Sequence, residues 1–336
     1  MTNRLREAVA AFTFEKNSMK AKQLKRLQHR QAGFTLLELL VVITLIATLA
    51  TAALVAYEGL GDSAQATAAS SSTATADGAI RNYRAVTQRY PDQWDNLVVG
   101  AGASAGTAPA FLASVTARRF ANWTLPASTS TFRIAVVEAL ESVGISELQQ
   151  RIVATTTAGV EPNLQHNEGA VGPTQVSEDD WAGITNVAIL PTFGRDAGGS
   201  PAACTLPGGM PTTKLSADPI NIDDALRQNV INDNLEDDQC NLVIALGFGH
   251  DAAHSTSNSS VAISTAPTFV SQNINPANSY ARYIALFHVA QDENEDETFT
   301  DDEVFNKARL LAVVDTEGKM IDENLAAQSA ENQNGN

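Results

Sequence analysis

The sequence predicts an α+β protein. One long N-terminal α-helix, membrane-spanning in its first half, packs by its second half on an antiparallel sheet in an enlarged C-terminal head. Three observations predict this. Residues 34–57 are an apolar run with a single charge, Glu38. Beyond it, Ala76, Ile80, Tyr83, Thr87 and Tyr90 fall at i, i+4, i+7, i+11 and i+14, one face of a helix. From about residue 185 onward, short runs rich in Val, Ile and Leu read as strands.

Residues 1–33 read as a basic leader. They carry eight Lys/Arg and two Glu, a balance of +6, against 14 basic and 36 acidic side chains, or −22, over residues 34–336. A basic flank before an apolar span stays in the cytoplasm, so the acidic remainder is expected outside it. An acidic body repels nucleic acid and anionic membrane alike, which argues against both as its partners. Met19 opens a shorter version of the same leader and is an alternative start.

From Phe34 to Tyr57 there are 24 residues, about 36 Å of helix against a hydrocarbon core of about 30 Å. A secretory signal has a shorter apolar region and ends at a small-residue site. Ala50-Thr51-Ala52 offers such a site, but the run before it is too long and contains Glu38. A plain anchor fits the length and gives no reason for Glu38, since an intramembrane carboxylate is costly unless paired. A cut between Gly33 and Phe34 supplies the pair. It places a new α-amino group four residues from Glu38, and in an assembly the carboxylate of one subunit neutralises the amine of the next.

Gly33-Phe34-Thr35-Leu36-Leu37-Glu38 after a basic leader resembles the processing signal of type IV pilins and type II secretion pseudopilins. The likeness covers about residues 20–60 in detail. It implies a pilin-like fold, cleavage after Gly33 by prepilin peptidase, N-methylation of Phe34, and Glu38 as an assembly contact. It also implies a single-pass inner-membrane precursor with its head in the periplasm. The assembled filament, built with other pilins, would be periplasmic or extracellular. Many members carry a Pro inside the span; here none precedes Pro91.

The domain reading is leader 1–33, transmembrane helix 34–57, helix continuation 58–90, α+β head 91–325 and disordered tail 326–336. Gly59 and Gly61 mark a weak point or bend. Pro91 ends the helix, and Tyr90–Leu97 resembles the Tyr-Pro turn after the long helix of pseudopilins. Residues 98–131 read as loops with a short helix around 109–119, residues 138–154 as a helix, and residues 157–181 as loop. Strands are expected at 186–190, 241–247, 261–264 and 282–290. A hairpin is expected to pair 308–315 with 319–321 across Thr316-Glu317-Gly318.

Cys204 and Cys240 form a candidate disulfide if the head lies outside the cytoplasm. Residues 292–303 hold eight carboxylates. Asp292, Glu293, Glu295 and Asp296 are the candidate ligands there and calcium the candidate ion. The run is read as lacking the EF-hand spacing and its Gly, and more simply as a solvated charge run. His250-Asp251-Ala252-Ala253-His254 imitates a zinc-binding helix without a third ligand. Gly102-Ala103-Ser104-Ala105-Gly106 matches G-x-S-x-G without its strand, helix, His and Asp. No other cofactor motif is present, and the chain reads as a structural subunit, not an enzyme. The alternatives are a minor tip pilin acting as a binding or adhesion module, and a membrane-anchored exported enzyme.

Overall fold

The computed structural model of the protein describes residues 6–7, 35–100, 105–109, 111–151, 176–192, 194–195, 201–202, 204–221, 224, 231, 235, 240–248, 252, 263, 268–271 and 273–326. The chain divides into two compact units, Met1–Leu60 and Gly61–Asn336. Helix α1, Leu36–Thr87, is 52 residues long and helical through Gly59 and Gly61. It stops where Gln88 takes φ 61°, a left-handed residue that cannot extend the helix, and Pro91 follows. Arg84 in its last turn complements the negative helix end.

In the second unit, α1 buries Ala69, Thr73, Ala76, Ile80 and Tyr83. These extend the expected face by two turns toward the N-terminus. Ala69, Ala76 and Ile80 join one apolar cluster with Trp94, Leu242, Ile244, Ala285 and Phe287. Arg81, Arg84 and Arg89 are exposed, as the spacing requires.

The remaining elements are β1 Trp94–Val99, α2 Ser114–Ala117, β2 Ala121–Thr124, α3 Thr131–Glu141, β3 Glu147–Arg151, β4 Val176–Asp180, β5 Asn186–Ile189, β6 Gly194–Arg195, β7 Pro201–Ala202, β8 Asn241–Phe248, β9 Tyr283–Gln291 and β10 Val304–Val314. The main sheet runs β10-β9-β8-β1-β3-β4, with β5 also on β8 and β2 on β5; β6 and β7 form a separate pair. It is mostly antiparallel, and β1–β3 is a parallel pair.

β8 and β9 are the centre of the head. Along β8, Leu242, Ile244 and Leu246 face the cluster shared with α1, while Val243 and Ala245 face a second cluster with Leu97, Leu112, Phe120 and Leu286. Both faces of the sheet are covered. That is why these strands read as continuous apolar runs rather than as an alternation.

Several expectations change. The apolar positions Val137, Leu140, Val143, Ile145 and Leu148 are not one helix. α3 ends at Glu141, Gly144 takes φ 99°, and the chain enters β3. Ile145 N–H reaches back to Leu140 O and Gly144 N–H to Glu141 O, closing the helix end. β1 begins inside the segment read as a turn, and β2 and β4 lie in segments read as loop. Residues 319–321 form no strand. The turn after β10 is closed by Gly318 at φ 72° and leads into a helical stretch at 321–326. Residues 261–264, apart from Ile263, and most of the tail lie outside the described residues.

Candidate processing and assembly site

Thr35 and Glu38 open α1 as a reciprocal cap. Thr35 N–H and Oγ1 donate to Glu38 Oε2 at 2.9 and 3.0 Å, and Glu38 N–H donates to Thr35 Oγ1 at 3.2 Å. A T-x-x-E box of this kind satisfies helix-end donors that have no partner within the helix. It also sets a carboxylate at the positive end of the helix dipole. The sequence reading takes Thr35 as part of the processing motif and not as a helix cap, although its three-residue spacing to Glu38 before an apolar run is the signal for one.

Past the cap, the helix exposes apolar surface on all sides. Leu36 and Leu37 are 82% and 70% exposed, and Val42, the least exposed of the large apolar residues in this stretch, still shows 46%. The span Leu36–Leu54 has mean hydropathy 2.3 and none of it is buried. A helix apolar all round is covered by protein or by lipid, because burying each such side chain is worth about 1.5–3 kcal/mol. The threonines in the span do not contradict this. Thr44, Thr48 and Thr51 each donate their hydroxyl to a carbonyl one turn back, to Val41, Leu45 and Ala47. Gly33 and Phe34 lie outside the described residues.

In the head, Cys204 and Cys240 are joined, with Cα atoms 5.9 Å apart. The bond anchors the β9–β10 loop. Asp292 N–H donates to Cys240 O, Thr205 N–H to Glu297 O, and Phe299 N–H to Thr205 O. Asp292 is 1% exposed, whereas Glu293, Glu295 and Asp296 face solvent. Among the described residues no three of His, Cys, Asp or Glu are gathered closely enough to hold a metal ion.

A cavity of about 330 Å³ lies beside α3, lined by Ile134, Val137, Glu138, Glu141, Asp180 and Trp181 among others. Burial, with the nearby Glu138, Asp180 and Asp92, raises the Glu141 carboxyl above its ordinary value. Arg133 at its wall is committed to structure, donating to the carbonyls of Pro126, Trp181 and Ile184. His250, Asp251, His254, Gly102 and Ser104 lie outside the described residues.

In comparison with known families, residues 28–54 match the prokaryotic N-terminal methylation motif, the signature of type IV pilins and pseudopilins. It spans the end of the basic leader, Gly33, Phe34, the Thr35–Glu38 cap and the apolar span. No curated protein and no solved structure matches the chain.

Proposed function

We propose that the chain is a structural subunit of a type IV pilus or a type II secretion pseudopilus. It is cut after Gly33, methylated on Phe34 and assembled through its N-terminal helix. The observation that carries this is the coincidence of the methylation motif at 28–54 with an apolar helix whose surface is bare from Leu36 to Leu54. The motif implies pilin assembly and prepilin peptidase processing in general, and the bare helix supplies the surface that assembly covers.

Glu38 is the register contact in this reading. In the precursor its Oε2 is held by Thr35. After the cut, the amine of a neighbouring subunit's Phe34 becomes a second partner, and a cation beside a carboxylate in low dielectric is stronger than a neutral cap. An acidic head with β8 and β9 at its centre then faces away from the filament axis, in the periplasm or outside the cell. The tip-adhesin and exported-enzyme alternatives have no comparable observation.

N-terminal sequencing of the mature protein is expected to begin at N-methylated Phe34, and any other first residue ends this reading. Glu38→Leu is expected to be cut and inserted normally yet be absent from sheared or cross-linked filaments. Incorporation at the wild-type level would refute the pairing.

A further inference from the structure

We propose that the β9–β10 loop is a calcium site formed by Asp292, Asn294, Asp296, the Thr298 carbonyl and Glu303. The proposal stands on the head alone and is independent of the filament reading.

Counted from Asp292 as position 1, Asn294 is position 3, Asp296 position 5, Thr298 position 7 and Glu303 position 12. These are the positions from which a twelve-residue calcium loop supplies its oxygens, with the backbone carbonyl at 7 and a carboxylate at 12. The count corrects the expectation that the run lacks this spacing. It also replaces the exposed Glu293 and Glu295 as ligands by Asn294 and Glu303. Only the glycine of position 6 is missing. Glu297 stands there with φ 62°, the left-handed conformation glycine provides in such loops. Position 8 is Phe299, 2% exposed, its ring 6.3 Å from that of Phe132 in the core.

Glu303 points to a ligand independently of the spacing. It is 7% exposed. Its carboxylate folds back onto the loop, where Oε2 accepts from Thr300 N–H and Oγ1. Its Oε1 is buried with no hydrogen-bond partner. A buried carboxylate oxygen with no donor is costly, and a divalent cation removes that cost. Asp292 adds a second buried carboxylate, which receives the Asp296 and Glu297 N–H groups.

The donor set selects the ion. It offers carboxylate, amide and carbonyl oxygens and no His or Cys, which excludes the softer metals. A donor set of carboxylates, an amide and a carbonyl along one loop suits the six to eight ligands at variable geometry that calcium takes, whereas magnesium requires a near-ideal octahedron. Glu303 must release Thr300 to close the site, which accounts for the carboxylates not being gathered as they stand. The Cys204–Cys240 bond holds both flanks of the loop, at Asp292 and at Glu297 and Phe299, so only the last turn has to move.

The test uses the full-length chain in detergent, with calcium added and read by thermal melting and titration calorimetry. Wild type is expected to melt higher in millimolar calcium and to bind with Kd between about 10⁻⁵ and 10⁻³ M. Glu303→Gln keeps the cap on Thr300, because Gln serves that role as Glu does. It is expected to melt normally without calcium and to bind at least about tenfold more weakly, the loss of a charged ligand. A Glu293→Gln/Glu295→Gln variant is expected to bind within about threefold of wild type, since exposed charges contribute little. No heat and no shift at about 10 mM calcium, equal response to magnesium, or equal loss in the Glu293/Glu295 variant would each overturn the site.

Discussion

His288 is a buried titratable side chain that its surroundings shift strongly. It lies on β9, 2% exposed, with its ring 4.7 Å from that of Phe305 and its Nε2 without a partner. Burial, reinforced by the Arg309 guanidinium on the neighbouring strand, lowers its pKa from 6.5 to about 4. A depressed pKa means the folded state resists protonation. The stability it contributes is complete above about pH 6.5 and is lost as pH falls toward about 4, up to about 3 kcal/mol over the window. His288→Phe removes the titration. Chemical denaturation at a series of pH values is expected to show a wild-type decline between 6.5 and 4 that the variant lacks. Parallel profiles would mean that acid sensitivity arises elsewhere. Asp315 acts in the opposite sense: burial raises its pKa, so its contribution falls as pH rises. The Thr35–Glu38 cap shows the same scale at work at the start of α1, where two side chains satisfy the Thr35 and Glu38 N–H groups.

Between elements, the Cys204–Cys240 bond closes a separation of 36 residues and also ties β8 to the β9–β10 loop. Loop closure alone is worth about 3–4 kcal/mol at that length. Cys204→Ala/Cys240→Ala is therefore expected to lower unfolding free energy by about 3–4 kcal/mol in urea. A loss under about 1 kcal/mol would show that the segment is held by packing instead. How much of the fold was legible follows from the same elements. α1, β8 and β9 could be read because each is long and keeps one period, or is uniformly apolar with both faces covered. α3 and β3 were misread as one helix because five apolar positions straddle their junction. The stop signal, Gly144 at φ 99°, was present but outweighed by them. β1 and β2 were missed because six- and four-residue strands take their apolar faces from partners distant in sequence, β8 and β5. Within the sites, Glu38 was conspicuous as a charge in an apolar run, and Glu303 was not, being one carboxylate among eight. Its burial, which among the eight it shares with Asp292, is what separates it from the other six, and burial is a tertiary property.

The whole molecule separates into an anchor that needs a cover and a head that brings its own. Among the described residues every buried core residue lies at Ala69 or beyond, while the large apolar side chains from Leu36 to Leu54 are exposed. The division between Leu60 and Gly61 therefore leaves the described core entirely on one side. Residues 61–336 carry 14 Lys/Arg and 34 Asp/Glu, a balance of −20, once Glu38 and Glu58 are taken from the 36 acidic residues of 34–336. A strong net charge of one sign keeps such a head soluble and discourages unspecific association. Deleting Met1–Leu60 is thus expected to yield a monomer that stays in solution without detergent. It should unfold in one cooperative transition, within about 5 °C of the head transition of the full-length chain. Circular dichroism melts and light scattering read both properties. Aggregation, or a transition lowered by more than about 10 °C, would mean that the N-terminal half of α1 stabilises the head. The expected result would place the surface that needs covering in the N-terminal helix and leave the head able to fold without it.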